Sequence, residues 1–309
     1  MDQTFHLPEA WQQAAEAIQA ESGIVMILGA SNVGKTTLLK YLLERLCRQN
    51  QRVAVVDADI GQSTLGPPAT ISSVVFESPL QPIEALAPQE MFFVGSTSPA
   101  GYFLEVIVGT KKLVEWAVSL EASHVLVDTT GWVRGEEASR FKFHKIDLLR
   151  PRYLLVLQQG TELEPLIRPF TDRKSLQIYR LPVSPLARSR NQNERRAYRE
   201  KKFRDYFKGA SVKLISTREL TLVSQSASGG SFGLTQYRGG ISRYLMVGLN
   251  DADYRTLAVG IVETFDSQSQ EIFIYTPLLD LTPVKSLTLG SLRVDLNGRE
   301  LGQEPSQEN

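Results

Sequence analysis

The feature that most constrains this chain is a glycine-rich segment, GASNVGKTT, which matches the pattern G-x-x-x-x-G-K-[ST]. The apolar run GIVMILGA leads into it, and the helix-like segment TTLLKYLLERLCRQN follows it. This strand–loop–helix context is typical of a phosphate-binding P-loop, in which backbone N–H groups and the helix N-terminus hold phosphates. Lys35 would reach the β and γ oxygens, and the Thr36 hydroxyl would bind Mg²⁺. The predicted nucleoside triphosphate site comprises Gly29, Ala30, Ser31, Asn32, Val33, Gly34, Lys35, Thr36 and Thr37.

Strand and helix patterns alternate beyond this loop. Short buried strands are predicted at QRVAVVDAD, EMFFVGS, SHVLVDTTG and PRYLLVLQQ. Helical patterns cover residues 8–20, YFLEVIVGTKKLVEWAVSL and EEASRFKFHKIDLL. Such alternation is typical of an α/β fold with a mostly parallel sheet and helices on both faces. We therefore predict a P-loop α/β domain over residues 1–187.

The composition changes after this domain. Residues 188–208, RSRNQNERRAYREKKFRDYFK, are polar and arginine-rich, and we predict a lid helix there. The runs SVKLIS, RYLMVGLN, TLAVGIVETF and EIFIYTP predict a smaller β-rich C-terminal domain over residues 209–302. The polar tail, residues 303–309, is predicted to be disordered.

Bulk composition excludes several classes of protein. Lysine plus arginine number 34 and aspartate plus glutamate number 34, so an anion site must come from local charge. A single cysteine, Cys47, excludes an intrachain disulfide and a cysteine-based zinc site. The chain begins without a signal-peptide pattern, and no apolar run approaches the roughly 18 residues of a membrane span. We expect a cytoplasmic protein with no membrane partner.

Carboxylates at the ends of two predicted strands are candidates for metal binding and proton transfer. Asp128 closes SHVLVD, where P-loop proteins place an acid that holds Mg²⁺ directly or through water; capping of the next turn is the alternative. Asp57 and Asp59 end the strand that we expect beside the P-loop strand, and alternation points them to the same side. Either could accept the proton of an attacking hydroxyl. Asp59 is favoured because it lies nearer the loop.

Two short segments raise the alternative of a GTP-dependent switch. Residues 128–131, DTTG, copy the D-x-x-G of GTPases, and residues 144–147, HKID, resemble the guanine-reading N-K-x-D. The second motif should follow a buried strand, whereas HKID lies in a helical pattern. The sequence therefore gives the switch only partial support.

The lid segment favours a kinase. Paired arginines such as Arg188 and Arg195 can close over a transferring phosphate and neutralise its charge, although a solvated charged helix has the same composition. Trp132 directly follows DTTG and can stack on a nucleobase or simply pack.

Five blocks in one order identify a resemblance: GASNVGKTT, DADIGQS, FFVGSTSP, DTTGWVRG and ARSRNQNERRAYREKKFRDYF. They resemble the polynucleotide 5′-hydroxyl kinase family, which includes the kinase subunit of the eukaryotic pre-mRNA cleavage complex and kinases of ribosomal RNA processing. The resemblance implies transfer of the γ-phosphate of ATP or GTP, with Mg²⁺, to the 5′-hydroxyl end of RNA or DNA. As a departure from the cleavage-complex subunit, we expect a stand-alone form without the β-sandwich domain that precedes the P-loop there. No protein partner follows from the resemblance.

The resemblance further implies roles for individual residues. Lys35 and Thr36 would grip the phosphates, and Asp59, within D-x-D-x-G-Q, would be the base. The residues that would contact the polynucleotide are Gln62 and Thr97 in the groove and Thr129, Gly131 and Trp132 in a clasp.

Arg188 and Arg195 match the lid arginines of that family. The segment between them has about two extra residues relative to the family pattern, so Arg190 and Arg196 are alternatives to Arg195. Two other functions also stay open: a nucleotide-dependent switch or scaffold without a phosphoryl acceptor, and a small-molecule kinase. The sequence does not discriminate RNA from DNA, single from double strands, or ATP from GTP.

Overall fold

The computed structural model describes residues 7–76, 81–184, 187, 189–224 and 241–303. Helices are found at α1 Glu9–Ala20, α2 Lys35–Cys47, α3 Phe103–Ser119, α4 Glu136–Leu149, α5 Glu164–Ile167 and α6 Gln192–Tyr206. Strands of the first half are β1 Gly23–Gly29, β2 Val53–Ala58, β3 Thr70–Phe76, β4 Glu90–Phe93, β5 His124–Thr129, β6 Tyr153–Gln158 and β7 Gln177–Pro182. Later strands are β8 Ser211–Ser216, β9 Thr221–Ser224, β10 Leu245–Asn250, β11 Thr256–Asp266, β12 Glu271–Thr276, β13 Ser286–Val294 and β14 Glu300–Gln303.

Seven of the described strands form one sheet in the order β4-β3-β2-β5-β1-β6-β7. The pairs that join β2, β5, β1, β6 and β7 are all parallel. Every residue of β2, β5 and β6 is buried, as expected of strands covered on both faces. The predicted α/β fold with a mostly parallel sheet is confirmed.

One expectation about this sheet is wrong. We expected β2 to lie beside the P-loop strand β1, but β5 lies between them and pairs with both. The register places Asp57 of β2 beside Asp128 of β5. Because parallel strands end at the same edge of a sheet, the ends of β1, β5 and β2 meet there in that order.

A second sheet follows in the C-terminal part of the chain, with the order β14-β13-β10-β11-β12-β8. Neighbouring strands in this order pair in antiparallel orientation, and β9 pairs with β13 in parallel. The predicted β-rich region is confirmed as this sheet.

The chain forms two compact units, each built from several stretches. The first contains the described residues of Met1–Asp59, Ser73–Gln89 and Thr110–Asn191, and the second those of Ile60–Ser72, Glu90–Gly109 and Gln192–Asn309. The boundaries at 187/188 and 208/209 stay a prediction. Among the described residues, no helix combines the length and the apolar character needed to cross a bilayer.

Helix α6, the arginine-rich segment, is anchored within the second unit. Phe203 is fully buried in an apolar cluster with Phe93 and Phe207. The Tyr198 hydroxyl donates to the Ser63 carbonyl at 3.0 Å, and Arg199 forms an ion pair with Glu300. The helix is therefore held by both apolar and polar contacts.

Helix α1 packs into the first unit through one face. Its buried residues, Trp11, Ala14, Ala15 and Ile18, follow helical spacing. The Trp11 indole N–H donates to the Pro182 carbonyl at the end of β7, at 3.0 Å. Trp11 is 1% exposed, so it contributes both apolar burial and a hydrogen bond.

We expect Trp11→Ala to lower the free energy of unfolding by about 3–5 kcal/mol, because it leaves a large cavity. Trp11→Phe keeps most of the packing but leaves the Pro182 carbonyl without its donor, a loss of about 1–3 kcal/mol. Urea unfolding followed by circular dichroism measures both. The exposed neighbour Gln12 provides the control, and Gln12→Ala should change stability by less than ~0.5 kcal/mol. Equal losses for the alanine and phenylalanine variants would contradict the packing role.

Candidate functional site

The P-loop lies between the end of β1 and the start of α2. Gly34 has a φ of 95° and Asn32 a φ of 67°, so the loop uses left-handed backbone conformations. Glycine adopts such a φ without the steric penalty of a Cβ. Alternation of right- and left-handed residues makes successive N–H groups converge into an anion-binding concavity, and the N-terminus of α2 adds its dipole. The Lys35 ammonium donates to the Ala30 carbonyl of the same loop at 2.9 Å.

A hydroxyl and a carboxylate meet directly beside this loop. Thr36 Oγ1 donates to Asp128 Oδ2 at 2.8 Å, while the backbone N–H of Thr129 donates to Asp128 Oδ1 at 2.9 Å. Mg²⁺ in proteins takes hard oxygen ligands, commonly one or two protein groups together with water and substrate phosphate. The donor set formed by Thr36 and Asp128 therefore fits Mg²⁺.

Asp57 and Asp59 stand at the end of β2, next to Asp128. Asp57 is buried and Asp59 is half-buried, and the Asp59 N–H donates to Asp57 Oδ1 at 3.1 Å. Burial raises the pKa of Asp128; the positive charge of Lys35 opposes that rise and the negative charge of Asp59 adds to it. The three carboxylates form one electrostatic cluster at the edge of the sheet.

The DTTG segment, residues 128–131, ends β5 and continues into the next loop, and it is fixed against the P-loop. Gly131 packs so tightly that a Cβ there would lie 2.6 Å from the Ser31 backbone nitrogen. Thr129 is buried, and its hydroxyl donates to the Ile27 carbonyl of β1 at 2.7 Å. Trp132 is half-buried, with its ring 5.8 Å from that of Phe141. Contact of Thr129, Gly131 and Trp132 with a polynucleotide stays a prediction.

Helix α4 brings two lysines to this cluster that sequence reasoning missed. Lys142 and Lys145 are both 0% exposed. Lys142 Nζ donates to the Thr130 carbonyl at 2.7 Å and to its hydroxyl at 3.2 Å. Within the described part of the chain, Lys145 Nζ has no hydrogen-bond partner. The signal was present in the sequence, because both lysines fall on the apolar stripe of Ala138, Phe141, Lys142, Lys145, Ile146 and Leu149.

Burial dominates the electrostatics of both lysines. It lowers the pKa of Lys145 to about 7, against the attraction of Asp59, Asp128 and Asp57. Burial lowers the pKa of Lys142 well below its ordinary value, and the charge of Lys145 adds to that effect. Both ammonium groups also lie over the Phe141 ring, at 5.2 Å and 5.6 Å from its centroid. The helical position of residues 144–147 confirms that HKID is not a guanine-reading loop after a strand.

A cavity of about 560 Å³ opens beside the P-loop in the first unit. It lies at the ends of β1, β6 and β7, where parallel α/β sheets bind their ligands. Its lining residues are Ala30, Ser31, Asn32, Val33, Val133, Arg134, Gln158, Gln159, Glu162, Pro182, Val183, Ser184, Ala187 and Ser189.

The remaining predicted site residues are divided among different parts of the chain. Gln62, Thr97 and Arg195 belong to the second unit, where Gln62 Nε2 donates to the Arg195 carbonyl at 3.4 Å. Arg196 pairs with Glu200 and donates to the Glu300 carbonyl at 2.5 Å. The exposed Arg190 accepts a weak hydrogen bond at its carbonyl from Asn32, at 3.5 Å. Arg188 lies outside the described residues.

The fold and this geometry define a nucleotide-binding P-loop protein. The Asp128 carboxylate, at the end of the strand beside the P-loop strand, accepts a hydrogen bond from the Thr36 hydroxyl of the loop. The model of the family described as the mRNA cleavage and polyadenylation factor CLP1 P-loop matches residues 29–209. The chain belongs to this CLP1 P-loop family, which confirms the resemblance found in the sequence.

Relatives extend the similarity over nearly the whole chain. The polyribonucleotide 5′-hydroxyl-kinase of Pyrococcus furiosus is 31% identical, over 97% of this chain and 96% of the relative. That of Methanocaldococcus jannaschii is 30% identical, over 90% and 89%. A solved Clp1p–Pcf11p complex is 17% identical with a TM-score of 0.69, over 92% of this chain and 78% of that one, and it shows the shared fold.

We expect Gly131→Ala to weaken nucleotide binding about tenfold or more, equivalent to ~1.4 kcal/mol, because its Cβ would displace the P-loop backbone at Ser31. Titration with a fluorescent ATP analogue measures the change. Glu137→Ala, an exposed substitution shortly after DTTG, should leave the affinity unchanged. Wild-type affinity in Gly131→Ala would show that the loop tolerates the shift.

We expect Lys145→Met to raise the free energy of unfolding at pH 6 by on the order of 3 kcal/mol, because it removes a buried ammonium without a hydrogen bond. The folded pKa is about 7 and the ordinary value is 10.5. Below pH 7 both the folded and the unfolded chain carry the proton, so the penalty is complete. From pH 7 to about 10.5 the folded chain loses its proton first, and wild type gains stability relative to the variant.

Urea unfolding of both proteins at pH 6, 8 and 10 tests this dependence. Lys142→Met is the matched comparison, and we expect it to be less favourable than Lys145→Met because the Thr130 carbonyl would lose its donor. A stability difference between Lys145→Met and wild type that does not change with pH would contradict the burial of a charge at Lys145.

Proposed function

We propose that this chain is a polynucleotide 5′-hydroxyl kinase, which transfers the γ-phosphate of ATP to the 5′-hydroxyl end of RNA or DNA. The observation that carries the proposal is the similarity to two archaeal polyribonucleotide 5′-hydroxyl-kinases over nearly the full length of both chains. The pairing of the P-loop hydroxyl with Asp128 supports it, because phosphoryl transfer needs a nucleotide–metal site of this kind.

Lys35, Thr36 and Asp128 serve the nucleotide in this proposal. Lys35 exchanges its bond to the Ala30 carbonyl for the β and γ phosphates. Thr36 and Asp128 would hold Mg²⁺, which when bound supplies positive charge to the phosphate oxygens. The cavity beside the P-loop would receive the nucleoside, and Glu162 and the backbone of residues 182–184 would offer acceptors to base amino groups.

Asp59 is the general base of the proposed reaction. The 5′-hydroxyl oxygen forms a bond to the γ-phosphorus, and the bond from that phosphorus to the β–γ bridging oxygen breaks. The hydroxyl proton passes to the Asp59 carboxylate, and ADP leaves. The position of Asp59 beside Asp57 and Asp128 supports this role, because a carboxylate at the edge of the sheet lies on the phosphate side of the fold.

The polynucleotide end would be held by the clasp and groove residues. Trp132 would stack on a terminal base, a contact worth roughly 1–3 kcal/mol in single-strand binders. Thr129 and Gly131 would shape the clasp, and Gln62 and Thr97 the groove. Arg188 and Arg195 would neutralise the phosphoryl group as it transfers.

A cytoplasmic location and the use of GTP also belong to the proposal. The first rests on the single cysteine, which suits a reducing compartment, and the second on a cavity whose lining includes both amide and carboxylate side chains.

We expect label from γ-labelled ATP, with Mg²⁺, to appear on short 5′-hydroxyl RNA or DNA and not on the same oligomers bearing a 5′-phosphate. Lys35→Ala and Asp59→Asn should each lower the rate by about 100-fold or more, because one removes phosphate neutralisation and the other the base. The yield on RNA against DNA reports the sugar preference.

Lys40→Ala is the matched control, because it removes the same charge from an exposed position of the same helix. Its rate should equal that of wild type. Nucleotide binding without label on any 5′-hydroxyl end would overturn the kinase and favour the switch or scaffold. Near wild-type turnover in Asp59→Asn would overturn only the assignment of Asp59 as the general base.

A further inference from the structure

Two loops of the second unit carry the predicted groove residues. The first groove loop, residues 60–69, contains Gln62, and the second groove loop, residues 94–98, contains Thr97. Ala69, at the end of the first loop, joins the two. Its carbonyl accepts hydrogen bonds from the first two backbone N–H groups of the second loop, at 2.9 Å and 3.0 Å. The two loops are therefore held together by their backbones.

The second groove loop is in turn fixed to strand β13 of the second sheet. The Gly95 carbonyl accepts hydrogen bonds from the N–H groups of Ser291 and Leu292, at 3.0 Å and 3.1 Å. Gly290, the residue before them, packs so closely that a Cβ there would lie 2.8 Å from both the Cα and the carbonyl oxygen of Gly95. This close approach of two backbones requires a residue without a side chain.

Beyond Gly95 the second groove loop turns tightly around Thr97. Ser96 Oγ donates to the Ser98 carbonyl at 3.0 Å and accepts from the Ser98 N–H at 3.1 Å. Because this turn is closed by its own hydrogen bonds, a displacement of Gly95 would also displace Thr97.

Helix α6 binds the first groove loop along one side. Tyr198 and Lys202 donate to consecutive carbonyls of that loop, those of Ser63 and Thr64, at 3.0 Å and 2.6 Å. The carbonyl of Arg195, one turn earlier, accepts from the side-chain amide of the residue before Ser63 at 3.4 Å. Residues three and four apart share a helix face, so a single face of α6 makes all three contacts.

One apolar cluster joins these segments to the second sheet. Along β10 its members alternate with those of a second cluster, since Met246 belongs to the first and Val247 to the second, so the two clusters lie on opposite faces. The second cluster contains no described residue of either groove loop or of α6. The members of the first cluster are Ala69, Phe93, Phe203, Phe207, Met246, Val259, Ile261, Leu292 and Val294.

We infer that the second sheet positions the acceptor groove, formed by the two groove loops and α6, for the 5′-hydroxyl end of a polynucleotide. The inference rests on the proposed function, since it assigns the sheet to the acceptor of the same reaction. The sheet sets the affinity for the polynucleotide and not for the nucleotide, because Lys35, Thr36 and Asp128 belong to the first unit.

Gly290→Ala in the full chain tests the inference. We expect the KM for a short 5′-hydroxyl oligonucleotide to rise about fivefold or more, because the new Cβ displaces Gly95 and with it Thr97. The affinity for a fluorescent ATP analogue should change less than about twofold. Steady-state kinetics measure the first quantity and a fluorescence titration the second. Anisotropy of a labelled oligonucleotide measures acceptor binding without turnover.

Gly260→Ala is the matched control, because it adds the same methyl group to the same sheet on the opposite face. Its Cβ would lie 2.3 Å from Cγ2 of Ile274, a member of the second cluster. We expect it to lower the stability of the fold and to keep the wild-type KM for the oligonucleotide. A role in folding alone would affect both variants alike.

A milder pair of substitutions serves where Gly290→Ala does not fold. Phe93→Leu shortens an apolar side chain directly before the second groove loop, and we expect the oligonucleotide KM to rise about twofold or more. Ile274→Val makes a change of similar kind on the opposite face and should leave that KM unchanged.

The outcomes separate this inference from the proposed function. An unchanged oligonucleotide KM in Gly290→Ala or Phe93→Leu, or an equal rise in Gly260→Ala, would overturn the role of the sheet alone. Loss of nucleotide affinity in Gly290→Ala would also overturn it. Absence of transfer by wild type would overturn the proposed function. Weaker oligonucleotide binding in Gly290→Ala than in Gly260→Ala, with nucleotide affinity retained, supports the inference.

Discussion

The hydrogen bond between Thr36 and Asp128, at 2.8 Å, depends on the order of three strands. Because β5 lies between β1 and β2, its terminal carboxylate is next to the P-loop on one side and next to Asp57 on the other. A different strand order would separate the phosphate-binding residues from the acids. The tight contact of Gly131 with Ser31 then fixes the position of the loop after β5 relative to the P-loop. Backbone topology, rather than any single side chain, brings the chemical groups together.

Concentrating charge at this edge opposes the stability of the fold. Three carboxylates and the ammonium groups of Lys142 and Lys145 lie in or beside a core of otherwise apolar residues. Buried ion pairs seldom recover the full loss of hydration, so such a cluster is weak support for folding. The chain compensates elsewhere, through strands buried along their whole length and through the α1 face that carries Trp11. Local departures from an apolar core are expected where function requires them.

Much of this organisation could be predicted from the sequence, for reasons that differ between elements. The P-loop, β2 and β5 combine apolar runs with glycine or terminal acids, so both their type and their functional end were evident. Strand β3, TISSVVF, was not predicted, because its threonine and serines are buried and interrupt the apolar pattern. The order of the strands in the sheet was not predicted either, because a local sequence pattern specifies a strand but not the strand beside it. In the sequence, Lys142 and Lys145 are distinguished only by their helical spacing on an apolar stripe, because the charge of a lysine by itself predicts an exposed position.

The arginine-rich helix shows why composition alone is a weak guide to a lid. Arg196 and Arg199 of α6 contact Glu200 and Glu300, so part of the positive charge anchors the helix within its own unit. Lys202 likewise donates to the Thr64 carbonyl at 2.6 Å. Arg195 is half-buried, and among the described residues it forms no ion pair. A side chain that is not needed to anchor its own helix is the one available to a phosphate, which is why Arg195 is the better lid candidate than Arg196.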